Sequence, residues 1–252
     1  MKKLKKPIIF TLIMLPIAVV GSFFSIRMSL PSLEKGVLDE AVAQVGSREL
    51  LVLLSMIQPV AIILLCSFFG YILSEKIGLM RSFRLEGKKL LITLVISVPS
   101  AALFSLDPWT FGKWIPQVGQ SYSGAGSFDL DTWLASILYG GIGEEVMMRL
   151  FFMSLIGFLA WKIFFRKRDA IPTGVFTAAN IIAAALFAAL HLPATALIFG
   201  ELTPLILLRC FLLNGAFGLI FGRLYRHFGI QYAMLAHIMF HIVSRTIWII
   251  AL

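Results

Sequence analysis

Apolar residues fall in long unbroken runs along this chain, and short polar stretches separate them. The runs lie at about 7–30, 51–73, 89–106, 133–161, 172–200, 203–222 and 229–251. A helix needs ~20 such residues to cross a ~30 Å hydrocarbon core, so each run is read as a membrane span. The pattern predicts an all-α fold, a polytopic transmembrane helix bundle of about seven to eight spans. The eighth is a re-entrant or interfacial helix in the long third loop, where Trp109, Phe111 and Trp114 suit a membrane surface. The spans leave no room for a second folded unit, so residues 1–252 are expected to form a single membrane domain.

The polar stretches alternate in charge. Lys2, Lys3, Lys5 and Lys6 precede the first run, and Lys76, Arg81, Arg84, Lys88 and Lys89 follow the second. Lys162, Arg166, Lys167 and Arg168 (with Asp169) follow the fourth, and Arg223, Arg226 and His227 follow the sixth. The loops between hold Glu34, Asp39, Glu40 and Glu49, then Asp107, Asp129 and Asp131, then Glu201. Basic loops stay on the cytoplasmic side, which predicts a cytoplasmic N-terminus and, after seven crossings, a C-terminus on the other face.

Composition agrees: 59% of the 252 residues are hydrophobic and 14% charged, far from a soluble domain. Topology accounts for the net charge of +9, so no nucleic-acid partner is implied. Cys66 and Cys210 lie within apolar runs as small packing residues, with no disulfide framework. The first run is longer than a signal-peptide core and reads as a retained span. Gly215, Gly218 and Gly222 are spaced for close helix packing.

Against this background the fourth run carries Glu144, Glu145 and Arg149 near its midpoint, between Trp133 and Trp161. A charge at mid-bilayer costs at least ~2.5–3.5 kcal/mol on insertion scales, so three together mark a functional site. Glu145 and Arg149 are four apart, acid first, the favourable order for an intrahelical ion pair. Glu144 projects about 100° away and lacks that partner. Three histidines also lie inside runs: His191 in the fifth, His237 and His241 one turn apart in the seventh. They can meet Glu144 at one depth if the fourth, fifth and seventh spans are neighbours. Arg27 and Arg209 are expected to snorkel; Arg245, one turn beyond His241 on the same face, is expected to anchor at the interface, with tuning of the site as the alternative. Asn180 and Asn214 are expected to bond between helices.

Glu-Glu-x-x-x-Arg at 144–149, Phe-x-x-x-His at 187–191 and His-x-x-x-His at 237–241 resemble, in order, the motifs of the CAAX protease and bacteriocin-processing family (CPBP, also Abi) of intramembrane proteases. The resemblance covers about residues 130–250, so residues 1–130 are N-terminal spans without motif and 131–252 the catalytic core. It implies an intramembrane glutamic endopeptidase acting on a membrane-associated or lipidated peptide. Glu144 resembles the glutamate that, with His191, activates water; His237 and His241 resemble the pair that stabilises the oxyanion. Glu145, Arg149 and Phe187 resemble supporting residues. Many prenyl-protease members have Asn where this chain has His241. A neutral imidazole N–H can replace that donor, but the change turns the expectation away from prenylated substrates, towards peptide processing or immunity in a prokaryotic cell membrane.

The expected chemistry needs no cofactor and no metal. Two alternatives stay open. The histidines and Glu144 also make a zinc set, with His237 and His241 at helical ligand spacing, although 238 is Ile where a zincin has Glu. A transporter or bacteriocin-immunity protein would use the same residues without turnover. The sequence gives neither the substrate nor the oligomeric state.

Overall fold

The computed structural model describes residues 4–168 and 170–252; Lys2, Lys3 and Asp169 lie outside the described residues. It is 84% helical, with no strand among the described residues. Seven helical stretches are long and apolar enough to cross a membrane: α1 (Lys5–Ser32), α3 (Arg48–Lys76), α4 (Gly87–Trp114), α6 (Leu130–Phe164), α7 (Thr173–Phe199), α8 (Pro204–Phe228) and α9 (Ile230–Ala251). Two short helices, α2 (Lys35–Val45) and α5 (Pro116–Ser121), fill the first and third loops. The third loop contains no further span among the described residues, and Trp114, at the end of α4, is 75% exposed.

Local chemistry sets the boundaries. Gly46 (φ 99°) closes α2 in a left-handed conformation, and Ser47 then caps α3 by accepting from Leu50 N at 3.1 Å. Asp129 caps α6 through Thr132 N, and Thr203 caps α8 ahead of Pro204. Gly229 alone, at φ 112°, separates α8 from α9.

Unlike in a soluble protein, apolar side chains cover the outer surface as well as filling the core. Large apolar groups such as Leu65, Leu91, Val95 and Ile181 point outward, while Ser22, Ser67, Ser97 and Ser105 are fully buried. Small residues let helices approach where lipid supplies no hydrophobic drive between them. Ser67 and Ser105 satisfy their hydroxyls on the carbonyls of Ile63 and Ala101 in their own helices.

The central element is α6, flanked by α1, α3, α7 and α9. Its winding loosens to π-type over Ala135–Glu144 and Val146–Met153, where a regular α-helix was expected. Glycines at 140, 141 and 143 weaken the preference for regular winding there, and such departures favour functional sites. Two polar clamps hold the bundle at opposite ends. Near the N-terminal face, Ser154 (α6), Tyr225 (α8) and Ser74 (α3) form a hydroxyl chain of 2.7 and 2.8 Å bonds. Near the C-terminal face, buried Asp107 accepts a two-pronged contact from Arg209 and a 2.6 Å bond from Tyr122. Arg209 therefore does not snorkel as expected; packing of α8 against the end of α4 gives it a counterion inside the protein.

Candidate active site

Glu145 and Arg149 form the expected ion pair, Oε1 to Nη1 at 3.0 Å, with both side chains essentially inaccessible. The contact is ionic rather than an aligned hydrogen bond. Arg149 also donates through Nη2 to Gly218 O at 3.0 Å, and its guanidinium lies 4.7 Å from the Phe187 ring centre. A Cβ at position 218 would stand 3.1 Å from Nη2, so glycine gives the arginine its access to the α8 backbone. The pair is not self-contained, because His237 Nδ1 approaches the same Oε1 at 2.9 Å. Glu145 thus joins α6 to α9.

His237 is buried in a stack, with Phe221 at 4.6 Å on one face and His241 at 4.8 Å on the other. The close approach of His241 to α6 depends on Gly140, since a Cβ there would sit 2.9 Å from Nε2 of the ring.

His191 interrupts α7 between Thr173–Leu190 and Leu192–Phe199. Pro193, which lacks a backbone donor, favours the break. His191 N–H turns back to Ala188 O at 3.1 Å, and Phe187 O instead accepts from Nδ1 of the His191 ring at 2.7 Å. A carbonyl only accepts, so Nδ1 carries the proton and a neutral ring leaves Nε2 with a free lone pair. Phe187 also packs its ring against His191 at 4.6 Å, as its one-turn spacing suggests.

Glu144 is half-buried and makes no hydrogen bond or ion pair with any described residue. It lines a cavity of about 310 Å³ together with His191, His237 and His241. Four residues drawn from three spans therefore open on one space. The assumed contact among the fourth, fifth and seventh spans holds only in part. α6 packs on both α7 and α9, but α8 lies between those two and sends Phe217 and Phe221 to the cavity wall.

Further polar residues line this cavity, among them Ser136, Tyr139, Asn214 and Arg245. Arg245 is not an interfacial anchor. It faces inward, with Nε and Nη2 at 3.0 and 2.7 Å from Ser136 Oγ. Its spacing of four from His241 was the available signal, since His237, His241 and Arg245 mark one helical stripe. Asn214 bonds within its own helix, to Cys210 O, rather than between helices; Asn180 does bridge, donating to Leu219 O. Among the described residues no three His, Cys, Asp or Glu side chains are arranged to hold a metal ion.

No curated protein and no solved structure matches the chain. Residues 127–243 match the family model described as type II CAAX prenyl endopeptidase Rce1-like. That segment runs from just before α6 into α9 and contains all three motifs and most of the residues that line their cavity; Ser25, Met28, Phe104 and Arg245 lie outside it. Over this segment, a little under half of its length, the chain matches the CPBP family, that of the CAAX-type intramembrane proteases.

Proposed function

We propose that the chain hydrolyses a peptide bond in a membrane-associated peptide, with Glu144 as the general base. The observation that carries this reading is the shared cavity: the one glutamate of the triplet without a partner opens on the same space as three imidazoles. Glu144 takes a proton from a water held between its carboxylate and His191 Nε2, and the hydroxide equivalent attacks the carbonyl. The proton then passes from Glu144 to the departing amine. No side chain becomes covalently attached.

His237 and His241 face the developing oxyanion. His237 Nδ1 is committed to Glu145, which fixes its ring beside His241, and a neutral His241 ring supplies its N–H to the oxyanion. Glu145, Arg149 and Phe187 act through these histidines by fixing their position. The same face of the cavity serves without a cofactor. Zinc is the alternative set of ligands, tested by activity in the presence of a chelator alongside metal analysis of the purified protein. Basic loops favour a cytoplasmic N-terminus. His241 in place of Asn favours unprenylated or lipidated peptides in a prokaryotic membrane, in maturation or immunity.

The test is a comparison of membrane peptidomes from cells carrying the wild-type protein or Glu144→Gln. Peptides that accumulate uncleaved only with the variant support the base assignment. Identical peptidomes at equal protein levels contradict it.

A further inference from the structure

We infer that the reaction cavity opens on the non-cytoplasmic face of the membrane, so that its substrate is a peptide segment already moved across the bilayer. The inference rests on the hydrolytic reading above and adds the side from which the substrate comes.

The direction of each span gives the cavity an open end and a closed one. α1, α4, α7 and α9 run from the face of the basic loops to the face of the acidic loops, and α6 and α8 run back. All six contribute to the cavity wall from their acidic-loop ends. Ser25 and Phe104 come from late in α1 and α4, which travel towards that face. Ser136 and Asn214 come from the first halves of α6 and α8, which leave it. Ala194 lies beyond His191 on α7, and Arg245 beyond His241 on α9. Towards the basic face the lining reaches no further than Phe221 and His237.

Below that level the bundle is shut. Val146, Leu150 and Met153 of α6 share one core with Ala179 and Ala183 of α7 and Ala233 of α9, none of them more than 2% exposed. The hydroxyl chain of Ser154, Tyr225 and Ser74 ties the helices beneath them. Two cavities on the basic side, one of about 550 Å³ against α1 and one of about 170 Å³ beside Arg226, share no lining residue with the reaction cavity. On the acidic side the relation is reversed. A cavity of about 250 Å³ in the third loop, lined by Tyr122, Asp129 and Trp133, shares Arg245 with it. Each hydrolysis consumes a water, and hydrocarbon does not supply one. The route past Arg245 is therefore the one by which water and peptide enter.

Loop charge decides which face this is. The loops at the closed end hold Lys76, Arg81, Arg84, Lys88 and Lys89, then Lys162, Arg166, Lys167 and Arg168, then Arg223 and Arg226. Loops so rich in lysine and arginine are retained in the cytoplasm, and the open end faces away from it. Translocation of the polypeptide must then precede its cleavage. A peptide confined to the cytoplasm is not a substrate.

The test replaces two cavity-wall residues outside the catalytic set, by Ser25→Cys and, separately, Ala194→Cys, in the full-length protein. Exposed Ser123 and Lys167, also changed singly to cysteine, mark the acidic and basic faces. Each variant meets a charged, membrane-impermeant thiol reagent in right-side-out and in inside-out membrane vesicles. Cys66 and Cys210 are buried, so the wild-type protein is the blank. The expected result is that both cavity cysteines and Ser123→Cys label at least tenfold faster in right-side-out vesicles, and Lys167→Cys in inside-out ones. Cavity cysteines that follow Lys167→Cys, or that label from neither side, overturn the inference. So does labelling of Ser123→Cys from the cytoplasmic side, which turns the opening inward. The second arm supplies an N-acylated random octapeptide library, whose acyl chain holds it in the leaflet to which it is added, to vesicles carrying the wild-type protein. Cleavage is expected to be at least tenfold faster in right-side-out vesicles; equal or reversed rates overturn the inference. Failure of the hydrolytic reading appears separately, as no cleavage in either vesicle type or in detergent, and leaves the labelling pattern intact.

Discussion

Glu145 and Glu144 are consecutive residues in opposite surroundings: one stands in a packed interior, the other on a cavity wall. On the packed side, the Glu145 carboxylate meets Arg149 and His237, and Arg149 in turn reaches the Gly218 carbonyl and the Phe187 ring. On the cavity side, Glu144 has no partner and Arg245 no acid among the described residues, and His191 presents a ring nitrogen. The difference teaches where structure ends and chemistry begins. Buried charge that is compensated by protein holds helices together, and charge left uncompensated beside an open space is available for a ligand or a water. If that division is right, substitutions on the packed side act on stability and substitutions on the cavity side act on turnover.

Arg149→Ala breaks the comparison on the packed side and has the largest expected effect. It leaves Glu145 buried and uncompensated, at a cost of about 3–5 kcal/mol. Thermal melts in detergent check this; a variant that melts with the wild type contradicts the packed-side account. Asp107→Ala comes next, at roughly 2–3 kcal/mol, because it strands Arg209 at a site with some access to the surface. The same melts, with activity scaled to folded protein and unchanged, sharpen the separation of clamp from site. Gly140→Ala crosses the divide. Its Cβ meets the His241 ring, so it is expected to cost about 1–2 kcal/mol by overpacking. The displaced imidazole lowers kcat roughly 10–100-fold. Glu144→Gln is expected to move stability least, within about 0.5 kcal/mol.

Much of the frame was legible in the chain. The seven runs correspond to seven span-length helices because ~20 apolar residues have few other ways to satisfy their backbone in lipid. The Glu145–Arg149 contact follows from i, i+4 geometry alone. What the sequence hid depends on which helices touch. Arg209 finds Asp107, and Arg245 finds Ser136, across more than a hundred residues of chain. The bond from His237 to Glu145 has the same character: each residue carries its own motif, and nothing in the spacing joins them. The helix Lys35–Val45 was invisible for a different reason. It is short, amphipathic and without a buried residue, so its charges read as a loop.

The central claim is that Glu144 performs the chemistry and Glu145 the support. The most direct measurement places Glu144→Gln beside the wild type in detergent, recording the melt and the cleavage of the acylated octapeptide library on the same preparation. The account predicts coincident melts with cleavage in the variant lost to background. Wild-type cleavage by a folded Glu144→Gln protein would contradict it.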